Sequence, residues 1–466
     1  MPVPATAVTV AAALTVLTAC GGSGGVHGTP GGSGVRDPYF PKAGNGGYDV
    51  THYALDLAYD PEADHLSGTA ALTARATQDL SAFSLDLKGL DVERVTVDGE
   101  AARWNRTGQE LTVRSPDDIG DGTRFRVAVR YSGTPETITD PDGSQEGWLR
   151  TDDGALALGQ PTGSMAWFPG NHHPSDKAAY DITVTVPEGL RAVSNGELTS
   201  ERASGGRTSF TWHTAEPMAS YLATLAIGEY DIARFATEDG LPVYTAVDPD
   251  QAGASRVVLG RIPEVVEWAR DLFGPYPFST TGAIVEDAED AGYALETQSR
   301  PVFPGAPDVA LLVHELAHQW YGDSVTPKTW RDMWLNEGFA TYAEWLWEED
   351  HGGDSAQETF EALYDGTYSG DEEEAVWEFA PADPPDAAHV SADPVYLRGA
   401  MVLHKIRQTV GDDAFFELIR GWAGARRHGN ADTGDFTAYV EKKAPGHDFD
   451  GIWEEWLYGD GKPERL

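Results

Sequence analysis

Two histidines and two glutamates are spaced as the ligands and base of a metal centre. A His-Glu-Leu-Ala-His pentad occupies residues 314–318, and eighteen residues lie between its last histidine and Glu337. Histidines four apart on a helix share one face, so both imidazoles can reach one ion, whereas Glu315 points about a quarter-turn aside, where it can hold a water. We predict one zinc ion bound by His314, His318 and Glu337, with Glu315 as the catalytic base.

The sequence around these residues predicts two helices that would position them. Asp308 can cap a helix whose apolar residues recur at helical spacing, and Gly322 can end it, which predicts the pentad in mid-helix. A second helix is predicted over about 336–350, with Glu337 near its start. Two packed helices of this kind can bring two histidines and a glutamate to one tetrahedral site.

Three further segments complete a resemblance to a known family. The pentad and the spacing to Glu337 resemble the gluzincin pattern of the aminopeptidase N family of zinc metallopeptidases. Tyr-Leu-Arg-Gly at 396–399 resembles that family's Tyr-x-Lys-Gly segment, and Ala-Leu-Glu-Thr at 294–297 resembles its Gly-Ala-Met-Glu-Asn exopeptidase motif. Residues 167–178 resemble a recurring stretch of its N-terminal domain. The likeness covers nearly the whole chain after residue 40.

The resemblance implies a zinc-dependent aminopeptidase that releases N-terminal amino acids from peptides with a free N-terminus. It implies that Tyr396 stabilises the tetrahedral intermediate and that Glu296 pairs with the substrate's terminal ammonium, which sets the scissile bond one residue away. Gln160 falls where the family often places a glutamine that lines the first substrate pocket. Three positions depart from the exopeptidase motif, namely Tyr293, Leu295 and Thr297.

Three alternative functions share parts of this pattern. A thermolysin-like gluzincin endopeptidase would use the same ligands but cleave N-blocked peptides, and Glu296 argues against it. An epoxide hydrolase stays open because the leukotriene hydrolase branch of the family uses the same zinc site, although nothing in the sequence indicates a lipid pocket. A surface lipoprotein that binds peptides without cleaving them would tolerate the loss of Glu315 or Tyr396. Both are present, which favours catalysis.

Length, composition and patterning predict an α+β multidomain protein. The 466 residues are 41% apolar, enough for sizeable cores, and strand-like alternation predicts an antiparallel β domain over 41–247. Longer helical stretches, beginning with about 257–273, predict a thermolysin-like, mainly helical catalytic domain over 248–466. The net charge of −42, from 33 basic and 75 acidic residues, would repel phosphate backbones, so we exclude nucleic acid as a partner.

The N-terminal region has the pattern of a bacterial lipoprotein signal. Residues 3–19 are small and apolar, and the Leu-Thr-Ala-Cys-Gly run at 17–21 resembles a lipobox, in which Cys20 is lipidated and becomes the mature N-terminus. No Lys or Arg precedes the apolar stretch. We expect a signal peptide over 1–20, a Gly/Ser-rich flexible tether over 21–40, and an exported protein anchored to the outer face of the cytoplasmic membrane only through Cys20, or else a secreted one.

Overall fold

The computed structural model describes residues 26–288, 291–367 and 375–464. It confirms the predicted fold class, because a β-rich N-terminal half is followed by a mainly helical half. The predicted signal peptide and Cys20 lie outside the described residues. Within the described ranges, no helix has both the length and the apolar character needed to cross a membrane.

The strands of the N-terminal half are β1 (Thr29–Pro30), β2 (Tyr48–Asp60), β3 (His65–Ala76), β4 (Leu80–Asp86), β5 (Asp91–Val97), β6 (Glu100–Ala101), β7 (Arg103–Thr107), β8 (Glu110–Arg114), β9 (Arg124–Gly133), β10 (Thr137–Thr139), β11 (Gln145–Arg150), β12 (Ala155–Leu158), β13 (Lys177–Pro187), β14 (Arg191–Ser194), β15 (Glu197–Ser204), β16 (Arg207–Ala219) and β17 (Leu225–Gly228). The long strands, such as β2, β9 and β13, alternate buried and more exposed residues, as half-buried strands do, whereas the short strands β12 and β17 are buried throughout.

The largest sheet has eight strands in the order β15-β16-β13-β2-β3-β9-β5-β6. On β2, Tyr53, Leu55, Leu57 and Tyr59 are buried on one face, and each buried leucine contributes roughly 1.5–3 kcal/mol to folding. The pairs in this sheet are antiparallel except β2 with β13, which run parallel. Parallel neighbours need a long connection, and the intervening strands β3 to β12 supply it.

The predicted flexible tether, 21–40, ends earlier than expected, because residues from Gly28 onward pack on the β domain. Strand β1 pairs in parallel with β4, and the Gly28 amide donates to Asp118 Oδ2 at 2.8 Å. A Cβ at Gly28 would lie 2.2 Å from the Leu80 carbonyl carbon. At Gly28, therefore, the absent side chain allows close backbone packing, a use of glycine that composition does not distinguish from flexibility.

The catalytic half contains a second, mixed sheet that reaches back across the predicted boundary at 247/248. Its strands, in spatial order, are β18 (Asp231–Ala236), β19 (Pro242–Val247), β20 (Thr281–Val285) and β21 (Val302–Phe303). Sheet pairing therefore associates 231–247 with the catalytic half. Two short strands, β22 (Thr326–Pro327) and β23 (Asn430–Ala431), pair in parallel.

The α-helices within the described residues lie in the C-terminal half. They are α1 (Ala252–Leu259), α2 (Ile262–Phe273), α3 (Val309–Ala317), α4 (Trp334–Asp350), α5 (Ala356–Asp365), α6 (Gly399–Val410), α7 (Asp412–Ala425) and α8 (Thr433–Lys443). The single helix predicted over 257–273 is wrong, since α1 and α2 divide that range. Pro263 explains the break, because in a continuous helix its ring would clash with the Leu259 carbonyl.

Residues 37–40, here called the strap, connect the β domain to the catalytic half. Asp37 is buried, and its Oδ2 accepts a hydrogen bond from the Trp330 amide at 3.0 Å. The Tyr39 hydroxyl donates to the Pro384 carbonyl at 2.6 Å, and the Phe40 ring meets Trp330 edge-on at 5.9 Å. The two halves are therefore joined by polar and aromatic contacts beside the helices that carry the predicted ligands.

A partly buried lysine makes a second connection between the halves. Lys177, at the start of β13, donates from Nζ to the Asp323 carbonyl at 2.8 Å and to the Ser324 carbonyl at 3.0 Å. These carbonyls belong to the loop that follows the histidine pentad. The β domain thus fixes the chain immediately after the pentad.

Candidate active site

The helix that carries the pentad begins as predicted and ends sooner. Asp308 Oδ1 accepts a hydrogen bond from the Leu311 amide at 2.9 Å, which caps α3. The prediction that the pentad lies in mid-helix is wrong, because α3 ends at Ala317 and His318 is its C-cap. His318 retains a right-handed helical backbone, with φ −55° and ψ −25°, so its side chain still lies on the face of His314.

Hydrogen bonds at Nδ1 leave the Nε2 atoms of both histidines free for a ligand. His314 Nδ1 donates to Glu344 Oε1 at 2.6 Å, and His318 Nδ1 donates to the Tyr321 carbonyl at 3.0 Å. The Nδ1 proton fixes the tautomer, so each Nε2 presents a lone pair. Both Nε2 atoms face Glu337 Oε2, at 3.3 Å from His314 and 3.2 Å from His318.

This arrangement fits a tetrahedral zinc ion. Bonds of 2.0–2.1 Å from zinc to nitrogen and oxygen place neighbouring tetrahedral ligand atoms roughly 3.3 Å apart. The measured separations of 3.3 and 3.2 Å match that spacing, and the donor set of two imidazoles and one carboxylate suits zinc. The ligand atoms of His314, His318 and Glu337 all lie within 4.8 Å of one another.

The charges of the cluster also favour a cation. Burial alone would lower the pKa of His314, but Glu337 and Glu344 outweigh it and raise that pKa well above its ordinary value. Burial likewise opposes the effect of Glu337 and Glu296 on His318, whose pKa is raised to about 9. Burial would raise the pKa of Glu337, yet the two histidines lower it to about 2. Positive charge is thus stabilised at the point where the three ligands meet.

Two glycines allow the segment that carries Tyr396 to lie close to the predicted metal ligands. Tyr396 lies in a π-helical segment, Pro394–Arg398, that leads into α6, and its ring stacks on His314 with centroids 6.0 Å apart. A Cβ at Gly338 would lie 2.8 Å from the Gly399 carbonyl carbon. The glycine after Glu337 and the glycine after the Tyr-Leu-Arg run therefore let α4 approach the tyrosine segment closely.

Glu296 and Glu315 lie together beside the metal ligands. Their carboxylates and His318 form a second group whose atoms fall within 4.8 Å of one another. Glu296 Oε1 and Glu315 Oε2 are buried, and neither has a hydrogen-bond partner in the ranges that the structure describes. Burial raises the pKa of Glu315 to about 8 and also raises that of Glu296. Two buried carboxylate oxygens are thus available to a substrate or to water.

All seven residues predicted from the sequence line one cavity of about 690 Å³, and they are Gln160, Glu296, His314, Glu315, His318, Glu337 and Tyr396. The cavity has further lining residues to which sequence analysis gave no role: Phe40 of the strap, Asp140, Tyr293 and Glu344. The sequence contains a signal for Glu344, because this residue lies two turns beyond Glu337 on nearly the same face of α4. Asp140 carried no such signal, because it lies in a turn of the β domain.

Comparisons with known proteins agree with this geometry. The model of the peptidase M1 N-terminal domain matches residues 49–222, and that of the peptidase family M1 domain matches residues 306–456. The crystal structure of an M1 zinc metallopeptidase from Deinococcus radiodurans superposes with a TM-score of 0.84 at 30% identity, over 93% of this chain and 98% of that one. The chain belongs to peptidase family M1. The predicted resemblance is thereby confirmed, and the expected zinc cofactor is supported by the family as well as by the ligand set.

Two further M1 proteins extend the comparison. A mutant of the Deinococcus radiodurans metallopeptidase, bound to a Tyr-Ser-Ala substrate, has a TM-score of 0.85 and 30% identity, over 93% of this chain and 100% of that one. Probable aminopeptidase 1 of Sulfurisphaera tokodaii is 24% identical over 81% of this chain and 49% of its own length. This chain spans about half the length of the curated relatives that it matches, or less.

Proposed function

We propose that this M1 family member is a zinc-dependent aminopeptidase that releases N-terminal amino acids from peptides. The observation that carries the proposal is the position of Glu296, which lines the cavity of the metal ligands and has a carboxylate oxygen within 4.8 Å of one of Glu315. Its Oε1 is buried and has no hydrogen-bond partner among the described residues. A substrate ammonium bound at Glu296 leaves room for about one residue before the reacting carbonyl. Aminopeptidase names among the curated relatives support the same function.

Each residue of the site has a separate task in this proposal. His314, His318 and Glu337 would hold a zinc ion, which would supply an acidified water and Lewis-acid polarisation of the scissile carbonyl. Glu315 accepts the proton of the attacking water at its carboxylate and passes it to the leaving amine. Burial, followed by the nearby glutamates, raises the pKa of Tyr396 well above its ordinary value, so its hydroxyl stays protonated and donates a hydrogen bond to the developing oxyanion.

The decisive experiment measures hydrolysis of a panel of aminoacyl fluorogenic substrates, each with a free and with an acetylated N-terminus. Every substrate is assayed with and without a chelator, and with zinc restored afterwards. We expect cleavage of the free-amine forms alone, its loss with chelator and its return with zinc. The acetylated forms remove the ammonium that Glu296 would bind and change little else.

The other outcomes separate the alternative functions. Cleavage of acetylated substrates would remove Glu296 from its role and favour an endopeptidase. Absence of cleavage by the zinc-loaded protein would favour a protein that binds peptides without cleaving them. In that case, isothermal titration with an uncleaved peptide would still detect binding.

We also propose that the protein is exported and anchored through a lipidated Cys20. The support is the apolar stretch over 3–19 and the lipobox-like run that ends it. To test this proposal, the unaltered chain and a Cys20→Ser variant are expressed in a bacterium that grows with radioactive palmitate in the medium. We expect label and membrane association for the unaltered chain only. Unlabelled protein in the medium would show secretion without an anchor.

A further inference from the structure

Five polar side chains around the cavity have a buried oxygen without a hydrogen-bond partner among the described residues. One is Glu315 Oε2, of the proposed base, and the other four are Asp140 Oδ2, Gln160 Oε1, the Tyr293 hydroxyl and Glu296 Oε1. Gln160 Oε1 can only accept hydrogen bonds, and the carboxyl oxygens accept when they are ionised, so a ligand that satisfies them must donate. Leaving such atoms unpaired in the presence of a bound substrate costs about 1–3 kcal/mol each. The proposed substrate ammonium accounts for Glu296 but for neither Asp140 nor Gln160.

Asp140 and Glu296 both line the cavity, and both lie close enough to Tyr293 for their charges to act on its hydroxyl. Burial raises the pKa of the Tyr293 hydroxyl well above its ordinary value, and Glu146, Asp140 and Glu296 add to that effect through their charges. The side chain of the first substrate residue branches from the carbon that bears the ammonium. It therefore enters the cavity beside Glu296, and the lining of that cavity includes Asp140 and Gln160.

A hairpin turn holds Asp140 in place. Strands β10 and β11 pair on either side of the turn, the Asp140 amide donates to the Ser144 carbonyl at 2.9 Å, and the Gly143 amide donates to the Asp140 carbonyl at 2.9 Å. Only 8% of the Asp140 surface is exposed, although the residue lines the cavity. A buried carboxyl on a hydrogen-bonded turn is fixed before any ligand arrives, which favours selective binding.

The carboxyl group of Glu146 lies beside that of Asp140. Its carboxylate accepts hydrogen bonds from the Thr162 amide at 2.9 Å, the Thr162 hydroxyl at 2.7 Å and the Gly163 amide at 2.6 Å. Burial raises the pKa of Glu146, and the hydrogen bonds from Asp140, Thr162 and Gly163 oppose that rise. Burial, followed by the charge of Glu146, raises the pKa of Asp140 to about 10. A cation that approaches the pair favours the ionised form of both carboxyl groups.

We infer that this end of the cavity selects a basic side chain, arginine or lysine, at the N-terminal residue of the substrate. Asp140 and Gln160 accept hydrogen bonds from the guanidinium or ammonium group, and Glu146 adds electrostatic attraction. An apolar side chain leaves both acceptors unpaired, and an acidic one meets like charge. The inference rests on the proposed aminopeptidase function and names the substrate class for it.

The test compares arginyl and citrullinyl fluorogenic substrates, which match in size and differ in charge. We expect kcat/KM for the arginyl substrate to exceed that for the citrullinyl one by about tenfold or more, since charge-assisted hydrogen bonds are roughly twice as strong as neutral ones. Asp140→Asn should reduce the arginyl-to-citrullinyl ratio by about tenfold. Asp152→Asn, which removes an exposed carboxylate of the same domain, should leave the ratio within about twofold.

Each outcome decides the inference. A wild-type ratio near one, or an equal loss on both substrates in Asp140→Asn, overturns it, since a merely structural role lowers all substrates together. If Asp140→Asn does not fold, the wild-type ratio alone decides. Turnover of a leucyl substrate without preference for arginyl defeats this inference and leaves the aminopeptidase function standing. No turnover of any free-amine substrate defeats the proposed function itself.

Discussion

The two ends of the cavity are built in different ways. At one end, His314, His318 and Glu337 come from α3, its C-cap and α4, which are neighbours in sequence and in space. At the other end, Asp140, Gln160 and Tyr293 come from three separate segments. The first end carries groups for bond cleavage, and the second carries groups that would select a side chain. Changes at the first end should lower turnover of every substrate alike, whereas changes at the second should alter the ratio between substrates.

The largest effect is expected from Glu315→Gln at the metal end. Loss of the proton acceptor should lower kcat by about 10²–10⁴-fold, because a positioned general base contributes that much to the rate. The arginyl and citrullinyl substrates should lose the same factor, while zinc content by atomic absorption stays at that of the wild type. A loss of kcat for only one of the two substrates would contradict the assignment of cleavage to one end of the cavity and selection to the other.

Tyr396→Phe should have the next largest effect. Removing one hydrogen-bond donor to an oxyanion costs about 10²–10³-fold in kcat. The apolar ring remains to stack on His314, so zinc content should not change. Tyr458→Phe is the control, since Tyr458 is half exposed and lies outside the cavity lining. Unchanged kcat in Tyr396→Phe would remove the hydroxyl from the mechanism.

Glu344→Gln tests whether the carboxylate behind His314 belongs to the metal end. The amide is a weaker acceptor for the His314 Nδ1 proton, so zinc affinity should fall about 10–100-fold, as it does when such partners are lost. Competition with a zinc-binding dye measures the change. Glu348→Gln, an exposed position one turn further along α4, should retain full affinity. Equal affinity in both variants would contradict the role given to Glu344.

The smallest effect is expected from Gly338→Ala, at the contact between α4 and the segment before α6. The added Cβ would meet Gly399 backbone at 2.8 Å, and relieving that overlap should lower the free energy of unfolding by about 1–3 kcal/mol. Gly424→Ala provides a match within α7, where an added Cβ meets nothing within 4 Å. Thermal denaturation should show a lower midpoint for the first variant only.

The sequence predicted the metal end better than the other end for a physical reason. Helical periodicity fixes which side chains share a face, so spacing alone brought His314 and His318 together, and the family pattern added Glu337. Even there the position of His318 at the helix end escaped prediction, because helix termination depends on loop hydrogen bonds such as Asp323 amide to His318 carbonyl. The role of Gln160 came from family resemblance and not from any local pattern.

The rest of the fold depended on contacts between distant parts of the chain. Asp140 looks like any acidic turn residue until the β10–β11 hairpin brings it beside Glu146 and the fold brings Tyr293 near both. The glycines near residue 28 read as a flexible linker until their packing against Leu80 is seen. Pro263 is the exception, because its helix-breaking effect could be read from the sequence. The prediction of a single helix over 257–273 followed the apolar periodicity instead.

The strap has a consequence for how this protein can be recombined in evolution. Phe40 forms part of the cavity wall, yet it lies almost three hundred residues before Trp330, against which it packs. If recombination exchanged the C-terminal half alone, the new protein would receive all three metal ligands and both catalytic side chains. It would not receive Phe40, which forms part of the cavity wall. The segment that has to be exchanged to keep the cavity intact is therefore larger than the peptidase domain and includes residues 37–40.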